Sequence, residues 1–156
     1  MKKQNTENQK LQKGIFKQGD LVSTKDMLLR ICKFYPNRPL LAELDQNKNV
    51  VSYDANQILE NTCALGDALL NLNLAEKRIA IMAKNSINYI FCELTVTNGV
   101  GIFIPIDKDA HAEHAQNLLT KCKADVLICD SIIFERLKDA LPKCEKLKKI
   151  ITIDKK

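Results

Sequence analysis

The chain has 156 residues, 46% hydrophobic and 28% charged, with a formal charge of +5. That is enough for one domain with a real core, and the balance is that of a globular protein rather than a fibrous or disordered one. No apolar run reaches the roughly 18–20 residues that span a bilayer, the N-terminus lacks the apolar centre of a signal peptide, and the absence of Trp argues against a base-stacking surface. These features predict a cytoplasmic protein that neither crosses a membrane nor binds nucleic acid.

Residues 1–20 are polar, lysine-rich and without periodicity, and are expected to form a flexible tail ahead of one folded unit over 21–156. Lysines gather again over 143–156, where a solvated last helix is expected. Ser23 or Thr24 can cap a helix running to Tyr35, with Met27, Leu28, Ile31 and Phe34 on one face, and Pro36 stops it. Leu40–Leu44 and Val50–Tyr53 read as a hairpin around Asp45-Gln-Asn-Lys-Asn49. Ser52 or Asp54 then caps a helix whose buried face is Ile58, Leu59, Thr62, Leu65, Gly66, Leu69 and Leu72. Gly66 there lets another element approach closely. The following link, Asn73-Leu-Ala-Glu-Lys77, has no glycine, but Asn73 can supply a positive φ.

Ile79–Ala83 is a continuous apolar run, as expected of a strand covered on both faces. Ser86 caps a helix with Ile87, Ile90, Phe91, Leu94 and Val96 inward, and Asn98-Gly99 ends it. Ile102–Ile106 is a second buried strand with Pro105 near its end. Asp109 can cap a helix over 110–121, with Ala115, Leu118, Leu119 and Cys122 inward. A strand over Val126–Cys129 follows. Asp130 or Ser131 caps a helix to Leu141, and Ile150–Ile153 closes the pattern. The order βαβαβαβ from Ile79 onward predicts an α/β fold: a doubly wound, Rossmann-like parallel sheet preceded by a short N-terminal β-hairpin.

Few residues suggest chemistry. His111 and His114 flank Glu113, but zinc needs further ligands and none is signalled, so a surface helix pair is the better reading. Gly99-Val-Gly101 lacks the third glycine and the Lys-Ser/Thr of a phosphate loop, and it precedes a strand rather than a helix, which favours packing. Asp107 follows a strand end, where α/β sheets place ligands, although an acid there more often serves as a cap or turn residue. Cys32, Cys63, Cys92, Cys122, Cys129 and Cys144 form no C-x-x-C pair, and most are expected to be reduced, buried thiols.

The run Ala80-Ile-Met-Ala-Lys-Asn-Ser-Ile-Asn-Tyr89, with Asn98-Gly-Val-Gly-Ile-Phe-Ile-Pro-Ile-Asp107, resembles the adenylate-forming superfamily of acyl-CoA synthetases, luciferases and peptide-synthetase adenylation domains. Asn85, Ser86, Tyr89, Gly101, Pro105 and Asp107 fall on matching positions, whereas Asn88, Asn98 and Val100 depart. Asp26–Leu41 with its Tyr35-Pro-Asn-Arg-Pro39, Val51-Ser-Tyr-Asp54 and Lys123–Asp130 are similar to further parts of the same pattern. The resemblance covers about Asp26 to Ile153 and corresponds to roughly the first quarter of a synthetase.

It implies a two-step reaction: a carboxylate attacks the α-phosphate of ATP, then a thiol, usually coenzyme A, displaces AMP. Phe103 and Asp107-Lys-Asp109 favour the fatty-acid branch over amino-acid-activating domains. The family's Ser/Thr/Gly-rich phosphate loop, ribose acid and mobile lysine all follow the matched region, and the chain contains no such loop. The expectation is therefore a segment that forms no adenylate alone, with no catalytic, cofactor-binding or metal residue of its own. ATP, Mg²⁺ and CoA are expected only for the complete enzyme. Asn85, Pro105 and Asp107 are read as architectural. Two alternatives stay open: a binding or assembly module whose exposed sheet edge meets a partner or a second copy, and a small nucleotide-binding protein with its site at the strand C-termini.

Overall fold

Ser23 decides where the first described helix begins. In the computed structural model, which describes residues 21–154, its hydroxyl accepts the Asp26 N–H and opens α1 (Thr24–Phe34). The expected tail lies outside the described residues. Leu28 is the buried anchor of α1, with Met27 and Ile31 half-buried, while Phe34, expected inward, is 53% exposed. Beyond the helix the Arg38 guanidinium sits 5.5 Å over the Tyr35 ring, a cation–π contact inside the Tyr-Pro-Asn-Arg-Pro run.

Strands β1 (Pro39–Leu44) and β2 (Val50–Asp54) pair antiparallel. Their turn is built on Asp45, whose carboxylate accepts the Asn47 and Asn49 N–H groups at 2.8 Å each, while Lys48 takes φ 65°. Asp54 then caps α2 (Ala55–Asn71) in a reciprocal capping box with Gln57. Ala55, Ile58, Thr62, Gly66 and Leu69 are buried along one stripe. Leu72 is 44% exposed at the helix end, and Leu74 enters the core instead. In the next turn both Asn73 and Glu76 hold φ 59°, so two L-residues occupy the left-handed region.

The parallel sheet comprises β3 (Lys77–Met82), β4 (Gly101–Pro105), β5 (Val126–Cys129) and β6 (Lys149–Thr152), in the order β4-β3-β5-β6. Its connections are α3 (Ile87–Thr95), α4 (Ala112–Lys121) and α5 (Ser131–Leu137). Strand alternation divides the core. Ile79, Ile81, Val126 and Ile128 face Leu69 of α2 and Cys92 of α3; Ala80, Met82, Leu127 and Cys129 face Ala115 and Leu119 of α4 and Ile133 and Leu137 of α5. A third cluster, Leu28, Ile58, Ile87 and Phe91, lies under the hairpin, where Tyr53 meets Phe91 edge-on at 5.4 Å.

Several boundaries differ from the sequence reading. α3 runs into a wide π turn over Val96–Val100, in which Gly99 supplies φ 131° but Asn98 stays right-handed. α4 starts at Ala112, not 110, because Asp107 accepts the Asp109 N–H at 3.0 Å and forms a turn that delays the helix. α5 stops at Leu137, and Pro142 sits inside a separate 3₁₀ turn, Leu141–Lys143. The lysines over 143–149 therefore lie on that turn and the entry to β6, not on a last helix.

Candidate active site

The chain leaves β3 for β4 on one side and returns to β5 on the other. That reversal opens a crevice beyond the C-terminal ends of β3 and β5, the place where open α/β sheets accept ligands. The loops that reach it are Ala83–Ser86, Ile106–His111, Asp130 and Ile153–Asp154.

Ser86 opens α3 there, with its hydroxyl accepting the Tyr89 N–H. Beside it a cleft of about 310 Å³ is lined on one side by Asn85 and by Tyr89 of α3, and on the other by Pro105 at the end of β4 and Ile106, Asp107 and Lys108 after it. The structure thus brings Asn85 beside Pro105 and Asp107, which lie 20 and 22 residues further along the sequence. Pro105 ends an edge strand, where a missing N–H breaks no ladder bond. Tyr89 stacks edge-on against Phe103 at 6.5 Å, so Phe103 is spent on packing.

The acids along this edge are committed to the fold. Asp130, buried at the end of β5, accepts the Lys84 N–H at 2.7 Å and ties the β3 and β5 loops together. Asp154, just past β6, accepts both the backbone N–H of Ser131 at 2.7 Å and its hydroxyl at 2.6 Å. The Ser131 hydroxyl bond, with the Ser131 N–H adding to it, holds the Asp154 carboxyl below the usual carboxylate range. Glu43 of β1 accepts the Ile87 N–H at 3.0 Å and docks the hairpin on the start of α3. None of these three acceptors was visible as such in the sequence, because each partner is far along the chain. The only available signal was an acid near a strand end.

The other sequence candidates lie elsewhere. Gly99 and Gly101 stand at the N-terminal end of β4, opposite the crevice. A Cβ on Gly101 would meet the Lys77 carbonyl oxygen at 2.4 Å, so this glycine is demanded by strand packing. A Cβ on Gly66 would find only ordinary contacts, with Thr95 and Val100 methyls at 3.8 Å, so the expected close approach is absent. His111 occupies the N-cap position of α4 without a capping bond, and His111, Glu113 and His114 are all exposed. Among the described residues no group of three or more His, Cys, Asp or Glu is gathered to hold a metal ion.

All six cysteines are free thiols. Cys92, Cys129 and Cys144 are buried, but Cys32 and Cys122 are half-buried and Cys63 is exposed, so burial is less general than expected. Burial pushes both the Cys92 and the Cys129 thiol up to about 11, with Asp130 and Asp154 adding to the effect at Cys129.

A parallel sheet wound on both sides, with a small hairpin in front, is the architecture of the N-terminal part of adenylate-forming enzymes. The family profile of the AMP-binding enzymes matches residues 29–156, and the chain belongs to that family. Among solved structures it is similar to coronafacic acid ligase from Pectobacterium brasiliense (TM-score 0.74, 18% identity, 86% of this chain and 26% of that one). It is also similar to a long-chain-fatty-acid-CoA ligase from Archaeoglobus fulgidus (TM-score 0.74, 16% identity, 85% and 27%). A third is the fused adenylation–PCP di-domain NpsA-ThdA from Klebsiella oxytoca (TM-score 0.65, 18% identity, 85% and 23%). The chain spans about a quarter of the length of these proteins. No curated protein matches it.

Proposed function

We propose that this chain is the N-terminal portion of an ATP-dependent acyl-CoA synthetase acting on fatty acids in the cytoplasm. The reaction of the whole enzyme joins a fatty acid, ATP and CoA into acyl-CoA, AMP and pyrophosphate through an acyl-adenylate. The observation that carries this reading is the family match over residues 29–156, which covers nearly all the folded unit.

In this reading the segment's role is architectural. It supplies a rigid sheet and one wall of a cleft, against which later parts of the polypeptide place the reactants. Its own groups do not suit a nucleoside triphosphate. The glycines lie at the wrong end of the sheet, Asp130 and Asp154 are engaged with backbone N–H groups, and an acid, Asp107, lines the cleft. ATP, Mg²⁺ and CoA would therefore be held by residues outside this chain.

The test is acid-dependent exchange of pyrophosphate into ATP, measured on the complete polypeptide that carries these residues. Fatty acids, aromatic acids and amino acids are offered in parallel. Exchange strongest with fatty acids supports the reading. Exchange strongest with an amino acid makes the chain part of an adenylation domain, and no exchange with any acid overturns the ligase.

A further inference from the structure

Cys63 is the exposed cysteine, and it stands in the wall of a trough of about 380 Å³ between α1, α2 and the Val96–Val100 turn. The trough lies toward the end of the sheet away from the crevice. On α2, Leu59, Thr62, Cys63 and Leu70 share one helical stripe that lines it; Leu28 and Leu29 of α1 line it from across. Leu29 and Leu70 are 47% and 45% exposed, so an apolar strip stays open beside the thiol. Lys25 and Asp67 also line the trough, one charge of each sign, which suits an uncharged chain better than an ion.

Thr62 adds a second, independent feature. It is 6% exposed, and among the described residues its hydroxyl oxygen has no hydrogen-bond partner. Its carbonyl is satisfied separately, by the Thr95 hydroxyl at 3.1 Å. Buried hydroxyls are ordinarily paired. An orphan in the wall of an apolar trough therefore points to an occupant that brings a hydrogen-bonding atom to an apolar body.

We propose that Cys63 is an acylation site that takes its acyl group from an acyl-CoA thioester. The acyl chain lies along the leucines of the trough, and its carbonyl oxygen accepts from the Thr62 hydroxyl. The Cys63 thiolate attacks the thioester carbonyl carbon. A bond from that carbon to the Cys63 sulfur forms as its bond to the CoA sulfur breaks, and the proton given up by Cys63 ends on the CoA thiol. No electrons are gained or lost, and no other reactant is needed. The donor is the product class of the reaction proposed above, and the inference rests on that reading for the donor alone. Because the test supplies the donor ready-made, its failure leaves the ligase reading untouched.

The 156-residue chain is incubated with decanoyl-CoA or acetyl-CoA, and acylation of each cysteine is followed by mass spectrometry. Decanoyl transfer to Cys63 should exceed acetyl transfer at least about tenfold, since only the longer chain fills the trough. Hydroxylamine should reverse the adduct, as it does a thioester. Leu29→Asp with Leu70→Asp should bring the two rates together while changing Cys63 alkylation by N-ethylmaleimide less than about twofold, because both leucines are already part-exposed. Thr62→Val should slow decanoyl transfer at least about threefold through the lost hydrogen bond. A parent in which acetyl transfer to Cys63 is as fast as decanoyl transfer overturns the proposal. So does a chain-length preference that survives the Asp variants, or an equal preference at the half-buried Cys122, which lies outside the trough.

Discussion

Glycine is demanded at Gly99 by the backbone and at Gly101 by a neighbour, whereas Lys48, Asn73, Glu76 and Lys123 hold positive φ without it. Asn73 and Glu76 both hold φ 59°, and Glu76 has no side-chain habit suited to that region. Glu76→Gly should therefore stabilise the protein by up to about 1 kcal/mol, read as a shift in the urea midpoint. Gly66 and Gly101 should respond in opposite directions. Gly66→Ala places a methyl in ordinary contact inside α2 and should stabilise by about 0.5–1 kcal/mol. Gly101→Ala drives a Cβ to 2.4 Å from the Lys77 carbonyl oxygen and should cost about 1–3 kcal/mol, as overpacking does. A Gly101→Ala variant as stable as the parent would remove the packing account of that glycine.

At the scale of elements, the starts of helices were readable and the ties between elements were not. Ser23, Asp54 and Ser86 cap the helices that follow them through bonds only three residues long, so the sequence displays both partners together. Asp109 misled for a local reason: Asp107 claims its N–H for a turn first. The bond from the Arg78 N–H to Asp125 spans 47 residues, those to Asp130, Glu43 and Asp154 span 46, 44 and 23, and no periodicity reports them. Asp107 and Pro105 were legible from their place at a strand end and Asn85 through family likeness; that they share one cleft follows from the parallel pairing of β3 with β4. Asp154 also gives a pH prediction. Its carboxyl titrates lower folded than unfolded, so its contribution is complete above the unfolded value near pH 4 and is lost as pH falls through the folded one. Thermal midpoints followed downward from about pH 5 should fall, and Asp154→Asn should flatten the slope without abolishing it, because Asp45 is shifted the same way by the Asn49 N–H. An unaltered slope in that variant would show that Asp154 is not among the groups responsible.

Across the whole molecule, the sheet is finished on its faces and open at its sides. β4 and β6 are both edge strands, and Ile102 on β4 and Ile150 on β6 are 50% and 38% exposed. The cleft at the strand ends is lined from the β3 and β4 sides, and the acids along that edge already serve the fold. Among the described residues no helix is long and apolar enough to cross a membrane. These features agree with a segment to which more polypeptide is added, and they leave a partner that completes the sheet as the rival reading. The two are separated most directly by the codons that follow Lys156 in the natural gene. The account predicts that the frame continues into a Ser/Thr/Gly-rich loop with a lysine, the phosphate-holding part that this chain lacks. A stop codon immediately after Lys156 would contradict it, and the search would turn to the partner that covers the open edges.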